Sequence, residues 1–149
     1  MLRYETTGRV KAAAARTILE EAGTIDRAWW NGGLAFEGEQ SEAPDELAGR
    51  TPLFRAGVPM EDDLFMAFAD MVVIVARLAD WAKRFRLKWR LTMNGDDWGS
   101  VDSTGPTRPL LGQMKKWSKR AKIAPAGKGK WVIPEERRSE IASLYAGPR

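Results

Sequence analysis

Carboxylates are the only side chains in this chain from which acid–base or metal chemistry could be built. The 149 residues contain no histidine and no cysteine. That removes the commonest general base and transition-metal ligand, together with thiol nucleophiles, thiolate zinc sites and disulfides. Three groupings of acids remain: Asp62 with Asp63, Asp96 and Asp97 with Asp102, and Asp70 by itself. Paired carboxylates share a proton or hold Mg²⁺ when they converge in a cleft. Asp96 and Asp97 are adjacent, so in extended chain they point to opposite faces, and Asp is an ordinary turn residue. Asp62 and Asp63 are equally well explained as counter-charges to a helix N-terminus. Asp70 differs, because Phe68, Ala69, Met71 and Val72 surround it and a buried carboxylate must be paired, hydrogen-bonded or neutral. Arg77 lies two turns along, beyond i,i+4 reach, so the expected partner of Asp70 belongs to another element and the pair is read as structural.

Motifs that would carry a reaction are missing. The chain has no GxSxG, SxxK, GxxxxGK[ST] or GxGxxG. The stretch Gly127-Lys128-Gly129-Lys130 lacks the spacing, hydroxyl residue and preceding buried strand of a phosphate loop and reads as a basic linker. The expectation is a protein that is not an enzyme and carries no cofactor or metal.

The strongest positive signal is a run without acids, residues 103–134, which contains Arg108, Lys115, Lys116, Lys119, Arg120, Lys122, Lys128 and Lys130 together with Trp117 and Trp131. Clustered cations attract acidic surfaces and release counterions from phosphate backbones, and aromatic faces stack on exposed bases. The spacing of Trp117 with Leu110 and Met114 instead favours a core role for that ring. The net charge of +4 is unevenly divided. Residues 1–63 hold seven Lys/Arg against twelve Asp/Glu, a balance of −5, and residues 64–149 hold seventeen against eight, a balance of +9.

The element that must position all of this is residues 61–86. Glu61, Asp62 and Asp63 stand at one end and Lys83, Arg84 and Arg86 at the other, as a helix dipole prefers. Asp63, Asp70, Arg77 and Arg84 recur every seven residues beside Asp80, a narrow polar stripe on an otherwise apolar cylinder. Asp70 and Arg77 interrupt the run well short of the ~20 apolar residues a bilayer requires, so it is a core helix.

Around it the sequence predicts a helix over 7–22, capped by Thr7 and stopped by Gly23, whose charges oppose its dipole: Arg9 and Lys11 near the start, Glu20 and Glu21 near the end. Such a helix must be held by docking. Residues 24–38 read as two short strands about an Asn31-Gly32-Gly33 turn, which would send Trp29 and Trp30 to opposite faces. Residues 39–59 read as a loop with at most one helical turn at 45–48. Leu87, Trp89, Leu91 and Met93 alternate with Lys88, Arg90, Thr92 and Asn94, giving a strand with one core face and one basic face. The Asn94-Gly95 turn would set Met93 against Asp96, Thr92 against Asp97, Leu91 against Trp98 and Arg90 against Gly99. A basic amphipathic helix capped by Thr107 is predicted to Ala121, with Leu110, Met114, Trp117 and Ala121 inward. It is followed by a flexible linker over 124–130 and a short strand over 131–133. A last helix begins after Pro134, turns Ile141, Leu144 and Tyr145 inward, and stops at Gly147-Pro148.

The fold class is therefore a single α+β domain over 1–149, a long central helix (about 61–86) packed on a small antiparallel sheet that includes a hairpin (about 87–102). The basic helix and linker cover about 107–130, and three or so helices flank the centre. Candidate binding residues are Lys115, Lys116, Lys119, Arg120 and Lys122 on the basic helix, Lys88 and Arg90 on the hairpin, and Trp29 and Trp30. The favoured reading is a non-enzymatic adaptor, inhibitor or regulatory subunit that engages a protein partner with an acidic surface through its basic C-terminal half. The alternative is nucleic-acid binding through 103–134. A cytoplasmic location and no membrane association are expected, since no signal sequence or lipidation motif is visible. The sequence does not fix an oligomeric state.

Overall fold

A helix that is apolar on most sides has to be wrapped, and segments from both ends of the chain do the wrapping. The computed structural model describes residues 1–30, 32–37, 46–127 and 129–145. In order these form β1 (Leu2–Thr6), α1 (Ala12–Gly23), β2 (Ala48–Thr51), α2 (Met60–Phe85), β3 (Trp89–Met93), β4 (Asp96–Asp102), β5 (Gly105–Pro106), α3 (Arg108–Arg120), β6 (Pro125–Gly127), β7 (Lys130–Trp131) and α4 (Glu135–Leu144). Five strands make one antiparallel sheet in the order β2-β1-β3-β4-β5, and β6 and β7 form a separate two-stranded ribbon. The α+β class and the long helix packed on the sheet are as the sequence predicts. No helix among the described residues is long and apolar enough to cross a membrane.

The sheet turns one face to α2. Leu2, Tyr4 and Thr6 of β1, Trp89, Leu91 and Met93 of β3, and Val101 of β4 are all buried, as strict alternation along a strand requires. Phe36, Trp81 and Trp89 meet at ring distances of 6.0–6.3 Å between this face and the helix. The opposite face carries Arg3, Glu5 and Arg90, with Arg3 and Arg50 paired to Glu37.

Several predicted elements take other forms. The first helix starts at Ala12 after an uncapped Lys11, because the chain before it forms the inner strand β1 up to Thr6, and Thr7 donates its N–H to the Lys88 carbonyl. The predicted helical turn at 45–48 gives way to β2, whose Arg50 and Gly49 pair with Arg3 and Tyr4. The described residues of 24–38 contain no strands, only a single bridge from Phe36 to Gly49. Asn31, residues 38–45, Lys128 and the Gly147-Pro148 stop lie outside the described residues.

In place of strand partners, the chain at 27–30 uses carboxylates of α2. Asp70 Oδ2 accepts the backbone N–H of Trp30 at 2.9 Å, and its Oδ1 lies 3.4 Å from the guanidinium of Arg27. One stretch back along the helix, Asp63 Oδ1 accepts the indole N–H of the same Trp30 at 2.8 Å and the backbone N–H of Arg55 at 3.0 Å. Both acids are at least 95% buried. Half of the predicted polar stripe is thus internal, and the partners of Asp70 come from another element, as its isolation in the sequence requires. The other half of the stripe anchors α1: Arg84 grips Glu21 through both carboxylate oxygens, and the Trp81 indole adds a third bond at 3.2 Å. This is the docking that a helix with reversed charges needs.

Two outcomes follow for stability. Asp70→Ala leaves Arg27 charged and the Trp30 N–H unpaired in the interior, so urea unfolding should show a loss of about 3–5 kcal/mol. The hydrogen bonds from Arg84, and a smaller one from Trp81, hold the Glu21 carboxyl down to about 2 from 4.5. A lowered folded-state value stabilises above pH 4.5 and is lost as pH falls toward 2. Glu21→Gln should therefore flatten the acid limb of the stability profile in that window, by less than about 1 kcal/mol because the pair is partly exposed.

Candidate binding surface on the basic helix

Helix α3 is fixed by its apolar face. Leu110, Met114, Trp117 and Ala121 are all buried, as their spacing predicts. Thr107 precedes the helix but does not cap it with its side chain. Its hydroxyl instead donates to the Ser100 carbonyl and accepts the Ser100 N–H, tying the start of α3 to β4. At the other end Lys122 takes a left-handed conformation (φ 57°), and the buried Ile123 returns its N–H to the Ser118 carbonyl. This closes the helix in the manner of a Schellman cap.

With the inward face committed, Lys115, Lys119, Lys116 and Arg120 follow one another around the outward face, over an arc of about 140° at 3.6 residues per turn. All four are exposed. Among the described residues, none of them has a carboxylate oxygen within 4.0 Å. Lys122 is different: its ammonium lies 3.4 Å from Glu61, which Arg137 also approaches at 3.8 Å.

A groove runs along each side of this ridge. On the Lys116 and Arg120 side, a cavity of about 360 Å³ is walled by Phe54, Trp98 and Trp117, with Leu64 and Met93 beneath. On the Lys115 side, a cavity of about 340 Å³ lies between Leu111 and Trp131. The β6–β7 ribbon forms the outer wall of the second groove, where the sequence predicts a flexible linker. Gly127 and Gly129 supply the positive φ values its tight turn requires.

The aromatic rings of the run are structural. Trp117 is 5% exposed and donates its indole N–H to the Leu64 carbonyl. Phe54 stacks on it at 5.6 Å and 22°, while Phe68 and Trp98 present edges at 5.6 and 5.8 Å. Trp131 is half-buried and packs edge-on against Phe68 at 5.5 Å.

Trp98 reaches this cluster through a β-bulge. The ladder follows the predicted pairs Met93–Asp96 and Thr92–Asp97, then shifts, so that Leu91 faces Gly99, Arg90 faces Ser100, and Trp98 has no partner. A bulge re-aims the side chain it carries. Trp98 therefore leaves the predicted position opposite Leu91 and turns to α3. Gly99 makes this shape attainable: it has φ 111°, and a Cβ there would lie 2.7 Å from the backbone nitrogen of Leu110.

The other predicted residues do not join this surface. Lys88 and Arg90 are exposed on the outer side of the sheet, in a separate cleft with Thr7, Asp97 and Ser100. Trp30 is 4% exposed, with the Arg55 guanidinium stacked 4.1 Å above it, and cannot meet a partner. Trp29 is half-buried under Arg27. Leu144, predicted inward, is 71% exposed, and Tyr145 packs edge-on against Trp30 and donates its hydroxyl to Asp62. The acids of the hairpin serve turns: Asp97 accepts the Gly99 N–H and Asp102 accepts both the N–H and hydroxyl of Thr104. Phe54, 41% exposed, is the surface residue that the sequence reading missed. A lone phenylalanine between prolines in an irregular stretch carries no periodic signal.

Comparison with protein-family models, curated proteins and solved structures gives no match to this chain.

Gly99→Ala should cost about 2 kcal/mol or more, since it adds both a disfavoured φ and a clash. It should also shift the Trp98 indole resonance in a ¹H–¹⁵N spectrum, as the ring loses its place against Trp117.

Proposed function

We propose that this chain is a non-enzymatic binding protein that engages an acidic protein surface through the outward face of α3. The observation that supports this most is the clustering of cations without acids. Other exposed cations, among them Lys83, Lys88 and Arg90, also have no carboxylate within 4.0 Å among the described residues, but on α3 four of them share a single helix face. Lys115 with Lys119 and Lys116 with Arg120 are like charges at i,i+4, and each such pair costs a helix about 0.2–0.5 kcal/mol. An acidic partner removes that repulsion. The apolar grooves on both flanks suit a protein surface, since protein interfaces combine apolar with polar contacts.

The reading favours protein over nucleic acid because the tryptophans of the basic run are used internally. Base stacking requires open ring faces. Trp117 gives one face to Phe54 and meets further rings at its edges, and Trp131 packs on Phe68. A reducing cytoplasm suits a chain without cysteine.

The test is a fourfold charge reversal, K115E/K116E/K119E/R120E. Binding to poly-L-glutamate should weaken at least tenfold, with the unfolding free energy changed by no more than about 0.5 kcal/mol per site, as for solvent-facing positions. Retained affinity would refute the role of the α3 face. Titrations with 30-mer DNA and RNA should give no more than the non-specific range of roughly 10⁻⁴–10⁻⁶ M at physiological salt. Tighter binding that weakens along a log–log line in salt would move the assignment to nucleic acid.

A further inference from the structure

We infer that the groove between α3 and the bulged hairpin is an anchor pocket, which receives one large apolar side chain, best an aromatic one, projecting from an acidic segment of the partner. The inference rests on the reading of α3 as the face for an acidic protein and adds what the partner must carry besides charge.

Four observations converge on it. The groove, about 360 Å³, lies at the small end of the roughly 300–1,000 Å³ that ligand pockets span, a size suited to a single anchor side chain. Its walls are rings: Phe54 stacked on Trp117, and Trp98 set edge-on to the same indole. A third aromatic or a large aliphatic group can continue this arrangement, because offset and edge contacts at 4.5–7 Å are the preferred aromatic geometries. The Met93 side chain beside them adds a polarizable contact for a ring. Phe54 is the exposed member of the set at 41%, so an occupant would cover apolar surface now left in water.

The rim specifies the charge of the occupant. Lys116 and Arg120 border the pocket without a carboxylate partner among the described residues, and no acid lines it. The side chain of Gln113, also on the rim, makes no hydrogen bond among the described residues, so its amide can pair with a peptide group of the incoming chain. An apolar pocket inside a cationic rim is complementary to a peptide with acidic residues flanking an apolar one. The same design, a buried anchor enclosed by polar contacts, concentrates binding energy in protein interfaces. Building Trp98 into the wall also requires the bulge and Gly99 described above, an irregularity that ordinary hairpin packing does not need.

The test uses the whole chain and three fluorescein-labelled twelve-residue peptides of Glu and Asp, with a single Trp, Leu or Gly at the centre. Anisotropy at low salt should show the Trp peptide binding at least tenfold more tightly than the Gly peptide, with Leu between them. Phe54→Ala should cut the Trp-over-Gly affinity ratio to about twofold or less, whatever its effect on the Gly peptide itself. K116Q/R120Q should weaken all three peptides and keep their order. The Trp98 indole resonance should shift with the Trp peptide and not with the Gly peptide. Equal affinity for the three peptides would overturn the anchor pocket and leave the acidic-partner reading standing, as would an unchanged preference in Phe54→Ala. Failure of all three to bind would overturn both. Displacement of the Trp peptide by an equal concentration of twelve-residue oligothymidylate would also overturn the inference, in favour of a nucleic-acid groove.

Discussion

Two buried carboxylates seven residues apart on one helix hold this structure in register. Asp63 and Asp70 take both hydrogen-bond donors of Trp30, its backbone N–H and its indole N–H, and Asp63 also takes the backbone N–H of Arg55. Irregular chain packed on a helix normally leaves peptide groups without partners, since a helix satisfies its own backbone and offers none to a neighbour. Here the helix supplies side-chain acceptors instead. The bonds propagate outward: Arg55 donates to the carbonyls of Trp30 and Tyr145, and Arg138 donates to that of Ala28. The last helix is thereby attached to a loop that the central helix has already fixed. Burial makes the arrangement costly to break, because each carboxylate has given up water for protein donors. Burial also lowers the proton affinity of Arg27, an effect that Asp70 partly offsets.

The second organising feature is the ring cluster about Trp117. It joins the loop before α2, the bulged strand β4, the central helix and the ribbon β6–β7 through Phe54, Trp98, Phe68 and Trp131. A helix with this many cations has little intrinsic preference for a protein interior. What seats it is one narrow apolar stripe with a large aromatic group at its centre. The consequence is a division of labour around α3, in which aromatic contacts set its position and leave the charged arc available.

Periodic features were the legible part of the sequence. The 3.6-residue repeat of α2 and α3 and the two-residue repeat of β3 mark burial on one face, and each is found where its pattern predicts. The isolation of Asp70 among apolar neighbours was also readable as a demand for a distant partner. What was hidden depends on contacts between remote segments. β1 is five residues long with an inward Thr6, and it becomes an inner strand only because β2 and β3 flank it. Thr7 resembles a helix cap until its N–H is claimed by Lys88. Tryptophans adjacent in sequence suggested a strand with two faces, whereas Trp30 is placed by two carboxylates that are forty and thirty-three residues away. The basic arc was visible residue by residue, but the pocket beside it was not, since Phe54 and Trp98 arrive through a loop and a bulge.

The strand order has a kinetic consequence. β1 is an inner strand of the sheet, between β2 and β3, and its first residue, Leu2, pairs with Met93. Nothing local can complete that ladder, so the sheet is finished only by loop closure over about ninety residues, which favours slow folding. During synthesis α2 emerges before β3, so the part of its surface that β3, β4 and α3 cover stays open until those elements leave the ribosome. Growing chains therefore pass through a window in which the longest apolar element is complete and its cover is not, and transiently exposed apolar surface of this kind is prone to aggregate.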